Sequence, residues 1–228
     1  ADFYLVNIKE QQQDLEKLGV PADKIAVCGI TLKPSVHVST EAVKQKLGLT
    51  GKKIVLMSSG SLGIGFPESL LLEFARELTT VEPDAQLVVV TGKNEAMKHH
   101  LTTEAEKRGL NMTVLGFYEP MAELFAITDV FLTKPGGLTV AEALRDNVKM
   151  LTTHFLPGQE ELNYEYLTTR KLMYPIPSPM TAKNLVAVAR QIMEQKIEVE
   201  NPNSIEITQK NNEGSALIKS IKNLFHIV

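Results

Sequence analysis

The sequence predicts an α/β fold, a parallel sheet with helices on both faces, and three observations carry that expectation. Short apolar runs rich in Val, Ile and Leu alternate with helical patterns along most of the 228 residues. The runs are nearly continuous rather than alternating, as strands buried on both faces are. The segment "ESLLLEFAREL" carries apolar residues at 70, 71, 74, 75 and 78, a one-sided stripe suited to a helix lying on a core.

Taken in order, "DFYLV" and "KIAVC" are strands flanking the helical segment "IKEQQQDLEKLG". The opening on "ADFYLV" reads as a strand already inside a fold, so the chain is expected to be the back part of something longer. "GITLKPSVHVST" (29–40) is extended, with a proline and several β-branched residues, and reads as a linker between lobes. Beyond it the strands are "KIVLMS", "QLVVVT", "MTVLG", "DVFLT" and "KMLTT". The helices between and after them are "FPESLLLEFARELTT", "NEAMKHHLTTEAEKRG", "EPMAELFAIT", "TVAEALRD" and "QEELNYEYLTTR". "YPIPSPM" (174–180) is too proline-rich for an interior strand and reads as a surface connection. The polar tail ends in a helical segment, "GSALIKSIKNLF".

Charged residues make up 22% of the chain and the net charge is −3, which gives no basis for nucleic-acid binding through bulk electrostatics. No apolar run reaches the length of about 18 residues that spans a bilayer. The single cysteine, Cys28, lies within "KIAVCGI" and reads as a small buried hydrophobe; a reducing cytoplasm suits a chain that can form no internal disulfide.

Parallel sheets bind ligands outside the carboxyl ends of their strands, so the loops after each strand matter most. After "KIVLMS", the stretch "SGSLGIG" places Gly60, Ser61, Gly63 and Gly65 before a helix. Such a turn can offer backbone N–H groups to an anion, or be no more than a tight turn. After "MTVLG", Gly116, Phe117 and Tyr118 suit a shelf for a planar base, the alternative being a core phenylalanine.

In "FLTKPGGLTVAEAL", Gly136 and Gly137 let a helix start approach a ligand with no side chain between them, and Thr139 could cap that start. Glu142, three residues on, has capping-box spacing, or could accept the paired hydroxyls of a ribose. After "KMLTT", "HFLPGQEELN" places Gln159 and Glu160 on a first helical turn, where they suit a polyol or simply the helix dipole. Anion-binding backbone, an aromatic shelf, a ribose-type carboxylate and polyol ligands together describe a nucleotide-sugar. No paired-aspartate metal motif accompanies them, and no cofactor is expected beyond the donor itself.

"TKPGGLTVAEAL" followed by "PGQEELNYEYL" resembles the donor-binding half of GT-B glycosyltransferases of glycosyltransferase family 28. In pattern it is most like bacterial diacylglycerol glucosyltransferases and monogalactosyldiacylglycerol synthases; the N-acetylglucosaminyltransferase acting on a polyprenyl-linked acceptor is a more distant match. The resemblance implies a Rossmann-like UDP-sugar-binding domain over residues 36–200. Residues 1–35 would be the end of an acceptor lobe and an interlobe linker, and 201–228 a tail and helix.

It further implies that Gly136, Gly137, Leu138 and Thr139 hold the diphosphate and Glu142 the ribose. Gly116 and Phe117 would form the uracil pocket. Gln159, Glu160 and Asn163 would face the sugar, and Gly60, Ser61 and Gly63 would close over the phosphate without a metal. Implied partners are a UDP-sugar and a lipid acceptor at the cytoplasmic membrane face, reached through the other lobe. Ser58 and Ser59 stand where the family usually has more glycine, and the catalytic base would lie in the acceptor lobe.

Overall fold

The computed structural model describes residues 3–33, 38–58, 60 and 66–194. These fall into two compact units that meet in sequence near residue 35. In the first, β1 (Tyr4–Val6) and β2 (Ile25–Val27) pair in parallel, with α1 (Lys9–Lys17) as the crossover between them. Cys28 closes this unit: its N–H donates to the Val6 carbonyl at 2.9 Å. Burial pushes the Cys28 thiol up, opposite to the activation a nucleophile needs.

The second unit is a five-stranded, wholly parallel sheet. Its strands are β3 (Lys53–Ser58), β4 (Ala85–Val90), β5 (Met112–Leu115), β6 (Val130–Thr133) and β7 (Met150–Thr152), in spatial order β5-β4-β3-β6-β7. The helices are α2 (Thr40–Lys46), α3 (Glu68–Val81), α4 (Glu95–Arg108), α5 (Met121–Phe125), α6 (Gly137–Arg145), α7 (Gln159–Thr169) and α8 (Ala182–Met193).

Right-handed crossovers running outward from β3 in one direction and from β6 in the other put their helices on opposite faces. On one face α3 packs between α4 and α8; on the other α5 packs against α2 and α6. Strand alternation divides the core the same way. Val55 and Met57 of β3 join Leu71, Phe74, Leu78, Leu185 and Ala189 in one cluster. Ile54 and Leu56, equally buried, point to the other side, where the rings of Phe125 and Phe131 meet at 5.3 Å. No helix among the described residues is long and apolar enough to cross a membrane.

The seven expected strands all form, and three corrections are needed elsewhere. Two helices were not anticipated: α2, capped by the Ser39 hydroxyl accepting from the Ala42 N–H, and α8, capped by Thr181 accepting from Asn184. α6 begins at Gly137 with Gly136 as its cap, so Thr139 lies in the first turn and caps nothing. "YPIPSPM" is not purely a connection, because Tyr174 extends the edge beyond β7, exchanging backbone bonds with Met150 and Thr152. The expected C-terminal helix lies outside the described residues, as do Ser59, Ser61 and Gly63.

Candidate functional site

The strand order reverses direction between β3 and β6, and at such a switch point the loops leaving two neighbouring strands diverge and open a crevice. The Thr133 hydroxyl donates to the Ser58 carbonyl at 2.9 Å, fastening the two strand ends together. Past β3, Gly60 takes φ +80°, a conformation that a side chain would strain. Its N–H donates to the Ser58 hydroxyl at 3.3 Å. Ser58 thus sits buried at the strand end and holds the turn.

Past β6, the Gly136 N–H donates to the Lys134 carbonyl at 2.8 Å, making a tight Pro-Gly-Gly turn. Gly136 has no side chain with which to cap α6, and the Val140 N–H is the first in the helix to bond back, to the Gly136 carbonyl. The N–H groups of Gly137, Leu138 and Thr139 have no partner among the described residues. Three donors and the positive end of a nine-residue helix therefore face the crevice.

Glu142 is the sixth residue of this helix, not its third, which removes the capping-box reading. Helical side chains lean toward the N-terminus, so its half-buried carboxylate lies over the turn formed by Leu138 and Thr139. Behind it Arg145 is held by both oxygens of Asp146, each at 2.8 Å.

Past β7, the "HFLPG" segment leads into α7. Phe155 stacks on Tyr164 with ring centres 4.6 Å apart, and the Thr153 hydroxyl lies 2.9 Å from Nδ1 of His154. Gly158 caps α7 at φ 100°, with its N–H pointing to the Glu161 carboxylate at 3.4 Å. Glu161 is thus a helix-start residue. Gln159 is exposed, whereas Glu160 turns inward and is tied at both oxygens. Oε1 takes the Lys134 ammonium at 2.5 Å and Oε2 takes the Leu156 N–H at 3.0 Å. Burial pushes the Glu160 carboxyl up, but the Lys134 and Leu156 hydrogen bonds and the charges of Lys134 and His154 outweigh it and hold it below the usual carboxylate range.

Asn163, one turn further on, donates to the Pro135 carbonyl at 2.9 Å and so ties α7 to the Pro-Gly-Gly turn. The segments after β6 and β7 are thereby joined, and the Thr133 bond to Ser58 ties them to the end of β3. Lys134 lies at their centre, its Cε 3.5 Å from where a Cβ would stand on Gly60 and 4.0 Å from the same point on Gly136. Sequence reasoning did not single out Lys134; the one signal was its place at a strand end, directly before Pro-Gly-Gly.

Past β5, Phe117 is 59% exposed, which excludes the core reading. Its neighbour Tyr118 is anchored instead: the phenol donates to Glu123 at 2.5 Å, and Glu123 also holds Lys46 at 2.7 Å. Gly116 stands close to the start of α4, where an added Cβ would meet Glu95 Oε1 at 3.1 Å. This aromatic shelf is two strands from β3, roughly 10 Å at the usual strand spacing. Among the described residues no group of three or more His, Cys, Asp or Glu side chains is placed to hold a metal ion.

Residues 54–216 match the glycosyltransferase family 28 C-terminal domain. The chain belongs to glycosyltransferase family 28. A processive diacylglycerol beta-glucosyltransferase of Bacillus cereus (strain AH187) is 34% identical over 169 residues, 73% of this chain and 42% of that protein. The chain therefore spans less than half the length of the curated relatives it matches.

Among solved structures, Medicago truncatula UGT71G1 complexed with UDP-glucose aligns with a TM-score of 0.68 at 17% identity, covering 100% of this chain and 54% of that one. The Staphylococcus aureus MnaA–UDP structure aligns with a TM-score of 0.68 at 15% identity, over 100% and 61%. At such identities the likeness establishes the fold: the α/β, Rossmann-like lobe of a GT-B protein, here in its family 28 form.

Proposed function

We propose that this chain is the UDP-sugar-binding lobe of an inverting glycosyltransferase that transfers a hexose to diacylglycerol, with glucose as the first choice of sugar and galactose as the second. The observation that carries the reading is the start of α6 behind Gly136, without a side-chain cap, at the switch point between β3 and β6. The likeness to processive diacylglycerol beta-glucosyltransferases supports the choice of sugar and acceptor.

In this reading the diphosphate sits on the N–H groups of Gly137, Leu138 and Thr139. Glu142 takes the ribose hydroxyls, and the uracil lies against Phe117 beside Gly116. Gln159 and Glu160 attend the hexose. Asn163 acts on the site through the Pro135 carbonyl. As the diphosphate departs, its growing charge meets donors already aimed at it, so little reorganisation is needed. The acceptor hydroxyl and the base that deprotonates it belong to the other lobe, which works at the cytoplasmic membrane face.

A second reading, a UDP-sugar-binding module without catalysis, draws on Ser58, whose hydroxyl occupies the Gly60 N–H that could otherwise reach a phosphate.

Titration calorimetry with UDP, with and without chelator, tests the site. Binding independent of chelator is expected. A strict magnesium requirement, or no binding at millimolar UDP, would refute it.

A further inference from the structure

We propose that Lys134 and Glu160 form an exchange pair: a nucleoside diphosphate draws the Lys134 ammonium away from Glu160, and the released carboxylate takes hydroxyls of the donor sugar. The proposal rests on the reading of the site given above and adds to it a cation and a coupling between two ligand subsites.

The placement of Lys134 is the first argument. It leaves β6 at the switch point, and its side chain, 25% exposed, runs between the Gly60 and Gly136 turns rather than into solvent. The neighbouring helix start carries roughly half a positive charge, which disfavours an ammonium there. Among the described residues the compensating charge is Glu160, at 2.5 Å. Without ligand, then, a carboxylate stands in for the anion that this corner of the fold favours. A diphosphate would answer both the helix and the lysine.

The energetics run the same way. An ion pair of this partial exposure is worth only about two- to fivefold in an equilibrium constant. A lysine donating to a phosphate is worth about 10- to 100-fold, because the acceptor carries more charge and spreads it over several oxygens. Glu160 remains in place when Lys134 leaves, since Oε2 still holds the Leu156 N–H. Oε1 is then an acceptor without its cation, on the helix turn where a polyol would lie.

Calorimetry on the 228-residue chain with UDP, UDP-glucose and, by displacement, uridine tests this on three proteins: the unaltered chain, Lys134→Met and Glu160→Gln. Lys134→Met should weaken UDP binding about 10- to 100-fold and leave uridine unchanged. Glu160→Gln should tighten UDP about two- to fivefold, yet lower the preference for UDP-glucose over UDP. UDP binding equally tight in Lys134→Met, or a parallel loss of uridine and UDP, would overturn the exchange while leaving the site reading intact. So would a Glu160→Gln chain that binds UDP more weakly. Failure of the unaltered chain to bind UDP would overturn the site reading itself.

Discussion

Replacing Glu142 by glutamine separates ribose binding from helix support. The carboxylate can accept two hydroxyl protons with full charge, whereas the amide offers one neutral acceptor and a donor. Losing a hydrogen bond to a charged group costs about 1.5–3 kcal/mol, so UDP affinity should fall about 10- to 150-fold.

Stability should barely change, and the structure supplies the reason. Because α6 begins at Gly137, Glu142 takes no part in capping. Arg145, three residues on, already has both oxygens of Asp146. The attraction between Glu142 and Arg145 is an i,i+3 pair on one helix, worth about 0.2–0.5 kcal/mol. In a domain of this size that moves the melting temperature by no more than about 2 °C. The assay is a UDP titration beside a ligand-free melt of the same preparation. Unchanged affinity together with a melting temperature lowered by many degrees would make Glu142 a structural residue and refute the assignment.

Gln86 is buried at the start of β4, with Oε1 accepting the N–H groups of Thr50 and Gly51, each at 2.9 Å, and Nε2 donating to Thr113 at 3.0 Å. Gln86→Leu should therefore cost about 1–3 kcal/mol in urea unfolding, as the buried Gly51 N–H is left without a partner; a loss below about 0.5 kcal/mol would contradict this. The Glu160 carboxyl is held below its ordinary range, so it stabilises the fold above an unfolded pKa near 4.3, and the effect is lost as pH falls through the folded value. The stability gap between the unaltered chain and Glu160→Gln should be about 0.5–1 kcal/mol at pH 7 and shrink as pH falls below the unfolded pKa, and a gap constant across that acid range would refute the pairing.

The five-stranded sheet was legible because strands such as β3 and β4, buried on both faces, leave an unbroken apolar signature; the two runs of the other unit became strands as well. α2 left almost none: it is seven residues long and buries Val43 alone, so no periodicity can build up. α8 did leave one, with Leu185, Val186, Ala189 and Ile192 on one face behind the Thr181 cap, but it follows a proline-rich stretch that draws the eye toward loop. At the candidate site, residue types were readable and partnerships were not. Nothing in the sequence links Lys134 to Glu160, 26 residues away, or Asn163 to Pro135, 28 away. Both links depend on β6 and β7 being neighbours. The start of α6 was misplaced because threonine carries a hydroxyl that can cap a helix; with Gly136 in extended conformation directly before the helix, backbone geometry decided instead.

The packing of α8 against α3 has a consequence for how the protein is made. Residues 68–81 emerge from the ribosome about a hundred residues before residues 182–193, yet both belong to one apolar cluster. Until the later segment arrives, Leu71, Phe74 and Leu78 have a sheet beneath them and no complete roof. Contacts this distant in sequence slow the final step and leave apolar surface open meanwhile. The loops after β3, β6 and β7 are all synthesised before that closing helix, so the nascent chain holds its candidate ligand residues before it holds its shape.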